Sequence, residues 1–150
     1  MSILKFDTAA AQADLCRLLA ACYYEPGPEF SEAGLFDSLI DAARRLDPVL
    51  ESKAQLLKSA FEAEDYQDLL VDYAKLFIGP NGTLAPPYES AWRDKNSASP
   101  LDSTQALIEL YDEGGFEMDE EFRDLPDYLA VELEFLYTLF FQIAAAIKNK

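Results

Sequence analysis

Residues 73 to 93 decide how this chain is organised, and they read Tyr73-Ala-Lys-Leu-Phe-Ile-Gly-Pro-Asn-Gly-Thr-Leu-Ala-Pro-Pro-Tyr-Glu-Ser-Ala-Trp-Arg93. An aromatic helix end runs into Gly79, and glycine closes a helix at little conformational cost. A loop stiffened by Pro86 and Pro87 follows. Long loops in compact domains are more often functional or disordered than incidental. The stretch therefore predicts a helix stop followed by a rigid recognition loop.

Helical patterning on both sides of this stretch predicts an all-α fold. The first predicted helix is capped by Asp7 or Thr8 and ends at about Tyr24, and a short second helix covers 31–46. The third and fourth predicted helices cover 48–63 and 66–78. A fifth helix runs from Asp102 or Ser103 to Gly114-Gly115, and the last helix begins at 124–127. No alternating run is long enough to predict a strand. A length of 150 residues favours a single helical-bundle domain over 1–150.

The charge balance is strongly acidic, with 28 acidic residues, 12 basic residues and no histidine, for a net charge of −16. Such a chain repels nucleic acid phosphates and attracts basic peptides, although acidity also serves solubility. The two cysteines are six residues apart on one predicted helix and do not share a face, which predicts free thiols in a reducing compartment. No secretory leader is recognised, and the apolar run 133–147 is shorter than the ~20 residues that span a bilayer. The sequence predicts a cytoplasmic, soluble protein without stable membrane insertion.

No catalytic constellation is present in the chain. The absence of histidine excludes Ser-His-Asp and Cys-His arrangements and the Glu-x-x-His motifs of di-iron bundles. Nucleotide-binding glycine motifs are absent, and the acidic stretch near 117–121 lacks the order of a calcium loop. We therefore predict no catalytic residue, no cofactor and no metal site, and a protein that is not an enzyme.

Acidic residues concentrate between 109 and 134, where eleven of them accompany one base, Arg123. Two interpretations stay open. Asp124 and Asp127 can complement the dipole at the start of the last helix, with Asp127 as its cap, which is the interpretation that physical reasoning favours. Alternatively, Asp127 beside Tyr128 receives a guanidinium, since arginine pairs with carboxylates and stacks on aromatic rings.

The last predicted helix is apolar on nearly every face between 133 and 147. A helix that is apolar all round must be buried all round. Two explanations are open, because either the earlier helices enclose it or a partner chain covers its outer side.

Three motifs follow one another along the chain. They are Tyr73-x-x-Leu76-Phe77-x-Gly79, then Pro86-Pro87-Tyr88-Glu89-Ser90, then Pro126-Asp127-Tyr128-Leu129-Ala130-Val131-Glu132-Leu133-Glu134-Phe135-Leu136. In this order they resemble the TorD/DmsD/NarJ family of cytoplasmic chaperones for molybdenum-containing redox enzymes. The resemblance extends over most of the chain and implies an all-helical TorD-like bundle.

The resemblance also implies a function. Family members bind the N-terminal signal region of a molybdoenzyme catalytic subunit, often a twin-arginine leader, and hold it in the cytoplasm until cofactor insertion, assembly or export. The alternatives are an acidic metal-binding protein or a stable interaction subunit of a redox complex without chaperone activity.

The motifs that match the family place peptide-binding roles on nine residues of this chain. These residues are Tyr73, Leu76, Phe77, Pro86, Tyr88, Glu89, Ser90, Asp127 and Tyr128. Helical spacing alone makes Leu76 and Phe77 equally typical of a core. Glu89 and Ser90 can also order the loop by local hydrogen bonds. Asp127 is the residue that we most readily expect to contact a client.

Two departures from the family pattern stand out. Family members commonly carry histidine where this chain has Tyr128, so a titratable imidazole is missing while stacking on a cation is retained. Family chains also usually continue by several helices beyond this one, whereas this chain ends at Lys150. Either a truncated bundle or a homodimer completed by helix exchange would account for that difference.

Overall fold

A computed structural model describes residues 5–79, 82–93, 100–119, 121–122 and 124–149. The helices are α1 Phe6–Ala21, α2 Glu29–Glu32, α3 Leu35–Leu46, α4 Pro48–Ala63, α5 Tyr66–Tyr73, α6 Pro100–Glu113 and α7 Leu129–Lys148. A π-helical turn, Ala74–Ile78, extends α5, and a 3-10 turn covers Glu89–Ala91. Over the described ranges there is no strand, although Tyr88 and Tyr128 form an isolated antiparallel bridge. The predicted all-α class is confirmed.

The first helix lies at the centre of the packing. Its contact with α7 is the most extensive between any two helices, and it also packs against α3, which pairs with α4. Two apolar clusters result. One is built on Leu18, Leu35, Phe36, Leu39, Ala42, Ala43 and Ala54. The other is built on Ala20, Tyr111, Tyr128, Ala130, Val131 and Phe135, and it supports the candidate site described below.

The starts of the third and fourth predicted helices are confirmed. The side chain of Asp47 accepts a hydrogen bond from the backbone N–H of Val49, and Pro48 occupies the first turn of α4. Proline suits that position because its missing N–H has no partner there in any helix. In the same way Asp65 accepts from the N–H of Gln67 and caps α5.

Two predicted helix boundaries are wrong. The first helix begins at Phe6, with Lys5 at its N-cap position and no side-chain cap, so neither Asp7 nor Thr8 caps it. The predicted helix over 31–46 is divided into α2 and α3, because Gly34 adopts φ 65°, a left-handed conformation that interrupts a right-handed helix.

The stop at Gly79 has an unusual form. Its N–H donates to the carbonyl of Ala74 at 2.7 Å and so closes the π-helical turn. Gly79 has φ 26° and ψ 111°, which lies outside the left-handed helical region that a glycine at a helix end commonly adopts. Pro80, the second half of the predicted stop, and Arg123 both lie outside the described residues.

The last helix starts later and runs longer than the apolar run suggested. It begins at Leu129, with Tyr128 at its N-cap position and no side-chain cap, so the prediction that Asp127 caps it is wrong. At 20 residues, α7 is long and apolar enough to cross a membrane by length and composition alone. One side packs on α1, while Leu136, Phe141 and Ile143 are 41 to 58% exposed on the other. The earlier helices described here therefore do not enclose it.

The two cysteines are free thiols, as predicted, and both are half-buried. The Sγ of Cys22 donates to the carbonyl of Leu18 at 3.3 Å. Burial raises the pKa of the Cys22 thiol to about 11, which keeps it in the unreactive protonated form at neutral pH.

Candidate functional site

The proline loop is fastened to the start of α7 by hydrogen bonds. The N–H of Leu129 donates to the carbonyl of Pro87 at 2.8 Å, and the N–H of Glu89 donates to the carbonyl of Asp127 at 3.2 Å. These bonds join two segments about forty residues apart in the chain. The position of the loop is therefore set by the residues that precede α7.

Asp127 adds a side-chain bond to this junction. Its Oδ2 accepts a hydrogen bond from the backbone N–H of Ser90 at 2.9 Å. The residue is only 6% exposed. Hydrogen bonds to ionised groups are stronger than neutral ones, and a buried carboxylate needs such partners. Asp127 therefore acts as a clamp that holds the loop against the helix.

A cavity of about 340 Å³, here called the loop cavity, opens between the loop and the first turns of α7. Its lining residues are Pro86, Pro87, Tyr88, Glu89, Trp92, Arg93, Leu129 and Glu132. A smaller space of about 90 Å³, the side cavity, is lined by Glu89, Arg93, Thr104, Leu107, Asp127 and Glu132. Ligand sites in proteins commonly combine such apolar walls with a few polar groups.

Trp92 gives the loop cavity an exposed aromatic wall. The side chain is held by a hydrogen bond from its Nε1 to the carbonyl of Pro86 at 2.8 Å, yet the residue is 70% exposed. An indole fixed in place and open to solvent is suited to packing against an incoming apolar or cationic side chain.

The charged side chains that line the two cavities are mostly acidic. Burial raises the pKa of the Glu132 carboxyl, and the charges of Glu89 and Asp127 raise it further, while the charge of Arg93 lowers it. Arg93 also forms an ion pair with Glu89. Three carboxylates thus face one guanidinium among the described lining residues, which favours the arrival of a further positive charge.

Five tyrosines form a group that begins at the wall of the loop cavity with Tyr88 and extends behind it, and we call them the tyrosine cluster. They are Tyr23, Tyr24, Tyr73, Tyr88 and Tyr128. The hydroxyls of Tyr73 and Tyr128 both donate to the carbonyl of Tyr23. The Tyr128 ring lies 5.7 Å from that of Tyr24 and 5.5 Å from that of Tyr88. The Tyr88 hydroxyl donates to Oδ1 of Asp124 at 2.6 Å, which ties the cluster to the loop before α7.

The tyrosine cluster predicts a loss of stability at alkaline pH. Burial, aided by Asp124, raises the pKa of Tyr88 to about 12, and burial also raises the pKa of Tyr73 and Tyr128. When folding raises the pKa of a tyrosine, the protonated side chain stabilises the fold. This stabilisation is complete below the pKa of tyrosine in the unfolded chain, about 10, and it is lost as the pH rises towards the pKa in the folded protein. We expect the melting temperature to fall steadily between about pH 10 and pH 12.

The measurement is thermal melting followed by circular dichroism across that pH range, with tyrosinate absorbance recorded in parallel. Tyr66 is exposed and lies outside the cluster. Tyr66→Phe is the control and should leave the alkaline profile unchanged, whereas Tyr88→Phe should make the fall in melting temperature less steep, with the contributions of Tyr73 and Tyr128 retained. A profile that Tyr88→Phe does not alter would contradict the expected contribution.

Of the nine predicted binding residues, the structure places seven in or next to the two cavities. Pro86, Tyr88 and Glu89 line the loop cavity, and Asp127 lines the side cavity. Ser90 contributes its backbone N–H to the clamp, whereas Tyr73 and Tyr128 lie in the tyrosine cluster.

Leu76 and Phe77 do not line either cavity. The Phe77 ring packs on Tyr73 at 5.2 Å and on Tyr23 at 6.0 Å. Leu76 is 38% exposed, and its carbonyl accepts from the N–H of Ala85 at 3.0 Å. Their positions support the tyrosine cluster and the loop, respectively.

Five lining residues of the loop cavity were missed by sequence reasoning. They are Pro87, Trp92, Arg93, Leu129 and Glu132. Trp92 and Arg93 lie within residues 73–93, and a lone tryptophan next to a basic residue could have been recognised as a candidate contact. Glu132 lies one helical turn after Tyr128, so the turn periodicity could have placed it on the loop side. Within the described residues, no group of three or more cysteine or carboxylate side chains is placed to hold a metal ion.

Comparison with known proteins identifies the family of this chain. The family described as nitrate reductase delta subunit matches residues 43–150. The Tat proofreading chaperone DmsD of Salmonella typhi is 27% identical over 118 residues, which cover 78% of this chain and 58% of that protein. The chaperone protein TorD of Aliivibrio salmonicida is 34% identical over 80 residues, covering 51% of this chain and 36% of that protein. The chain thus spans less than three-fifths of the length of these curated relatives.

A solved structure shares the fold. The crystal structure of a candidate redox enzyme maturation protein from Archaeoglobus fulgidus superposes with a TM-score of 0.56 at 21% identity, and the match covers 91% of each chain. The named relatives are chaperones, which confirms the prediction of a family without enzymatic activity. The chain belongs to the nitrate reductase delta subunit family, the TorD/DmsD/NarJ family that its motifs resemble.

Proposed function

We propose that this protein is a cytoplasmic chaperone for a molybdoenzyme. It binds the N-terminal signal region of the catalytic subunit, a twin-arginine leader in many clients, and keeps that subunit in the cytoplasm until cofactor insertion, assembly or export. The single observation that carries the proposal is the loop cavity, an open site in which prolines and aromatic rings adjoin carboxylates.

The chemistry of the cavity suits a basic and apolar peptide. Pro86, Trp92 and Leu129 supply apolar surface, and Glu89 and Glu132 supply negative charge. Carboxylates bind guanidinium groups in a paired geometry, and aromatic rings stack on them. The net charge of −16 adds a long-range attraction that speeds the encounter with a basic segment.

The direct test is calorimetry with leader peptides of molybdopterin oxidoreductases from the same genome. We expect a cognate leader to bind with a Kd in the low-micromolar range or below. The matched control is the same leader with its arginines replaced by glutamine, which should bind at least about tenfold more weakly. Failure of every such leader to bind would contradict the proposal.

Glu132 supplies a prediction that separates stability from binding. Because folding raises the pKa of Glu132, the fold favours its protonated form. The stabilisation that the protonated carboxyl gives is fully present below the pKa of Glu132 in the unfolded chain, and it is lost as the pH rises through the pKa in the folded protein. The ionised carboxylate is therefore unfavourable for folding at neutral pH. We expect Glu132→Gln to raise the melting temperature by about 1–3 °C and to weaken leader binding about threefold to tenfold.

Glu117→Gln is the matched control, because Glu117 is an exposed acidic residue in the loop between α6 and α7 that lines neither cavity. It should change neither the melting temperature nor the leader affinity. If Glu132→Gln lowered the melting temperature, Glu132 would be a structural group rather than one kept at a cost for binding.

A further inference from the structure

Arg93 is the basic residue at the junction of the two cavities. It lines both of them, together with Glu89 and Glu132. Its Nε forms an ion pair with the Oε1 of Glu89, and the two side chains are 39% and 44% exposed. The guanidinium is therefore held at the edge of the site, and it stays accessible to solvent.

The influence of Arg93 extends past its partner. Its charge acts on the Glu132 carboxyl, where it opposes the effects of Glu89 and Asp127. The group thus lies within electrostatic reach of carboxylates on both the loop and α7. Without it, three carboxylates would meet at the junction with no cation among the described lining residues, and like charges in one site repel each other.

We propose that Arg93 is an internal competitor of the client. In the free protein it pairs with Glu89 and neutralises the junction, and an arginine of the incoming peptide displaces it and takes over the same carboxylates. This inference rests on the proposed function of the loop cavity and adds the group that the site recognises, a guanidinium, and the contact that must open first.

The strength of the ion pair fits displacement. Exposed ion pairs contribute little to stability, because solvent screens them and two long side chains lose freedom. Arg93 therefore occupies the carboxylates of the free protein but can be displaced by a ligand. Its removal should tighten the binding of an arginine-containing ligand by about twofold to fivefold.

The experiment uses the dipeptide N-acetyl-Arg-Arg-amide as the probe, so that it does not depend on the identity of the client. Binding is followed by calorimetry and by the fluorescence of Trp92, which is the one tryptophan of the chain and lines the loop cavity. We expect Arg93→Ala to bind the dipeptide about twofold to fivefold more tightly than the wild type. Arg93→Lys, which keeps the charge, should stay within about twofold of the wild type.

Arg44→Ala is the matched control for charge. Arg44 pairs with Glu51 at 2.8 Å on the distant face of α3 and lines neither cavity. Its loss makes the same change in net charge, and it should leave dipeptide binding unchanged. Equal tightening by Arg44→Ala and Arg93→Ala would overturn the inference, since total charge would then explain the effect. Unchanged, weaker or undetectable binding by Arg93→Ala would also overturn it.

The outcome is independent of the leader experiment. A leader that binds the wild type while Arg93→Ala fails to tighten the dipeptide would leave the proposed function intact and remove the role of Arg93. Tightening of the dipeptide without binding of any leader would support a guanidinium site in a protein that is not a leader chaperone.

Discussion

Asp127→Ala is expected to lower the melting temperature by about 5–10 °C and to weaken leader binding about tenfold. The carboxylate is buried and accepts the N–H of Ser90 at 2.9 Å. Losing a hydrogen bond to a charged group costs about 1.5–3 kcal/mol, and each kcal/mol corresponds to about 2–4 °C for a chain of this length. Leader affinity falls because only molecules with the loop in place can bind, so the apparent Kd rises as that fraction drops.

Asp127→Asn separates the clamp from a direct contact with the client. Asparagine keeps an oxygen that can accept from Ser90 but carries no charge. If Asp127 acts by positioning the loop, this variant should lose less than about threefold in affinity, with a smaller fall in melting temperature. Melting by circular dichroism and leader titration by calorimetry measure both effects. A tenfold loss of affinity in Asp127→Asn at an unchanged melting temperature would instead show that the charge contacts the client.

The helices were predictable where local rules determine them. Asp47-Pro48 and Asp65 carry cap and first-turn chemistry that depends only on neighbouring residues, and both helix starts agree with the structure. The division at Gly34 was not predictable, since a glycine within a helical pattern is compatible with either continuation or a break. The later start of α7 has a tertiary cause. The residues before Leu129 are engaged with the proline loop, which a local pattern does not contain.

The candidate site was predictable in its parts and not in its arrangement. The motifs named Tyr88, Glu89 and Asp127, and the structure brings all three to one junction. The role of the Asp127 carboxylate depends on Ser90, a residue 37 positions earlier. Such a contact cannot be inferred from helix-start chemistry, which instead predicted a cap. For Glu132, helical periodicity gives the side of α7 that it occupies, but not that the proline loop packs against that side.

Tyr128→Ala is expected to cost more stability than Asp127→Ala. The expected loss is about 3–5 kcal/mol, with a fall in melting temperature of about 10 °C or more. The residue is 4% exposed and packs in the second apolar cluster. Its ring contacts those of Tyr24 and Tyr88, and its hydroxyl donates to the carbonyl of Tyr23. Truncation would leave a large cavity directly beneath the proline loop. Chemical and thermal unfolding of the purified variant measure the effect.

Tyr128→Phe tests whether this tyrosine also meets the client. The ring is kept, and the Tyr23 carbonyl still accepts from Tyr73, so the expected cost is about 1 kcal/mol. A side chain with so little exposed surface has little to offer a peptide, and leader affinity should stay within about twofold of the wild type. A large loss of affinity at unchanged stability would mean that the loop opens on binding and presents the Tyr128 hydroxyl. In that case the tyrosine cluster would be part of the client site rather than its support, and the loop cavity seen here would be its closed form.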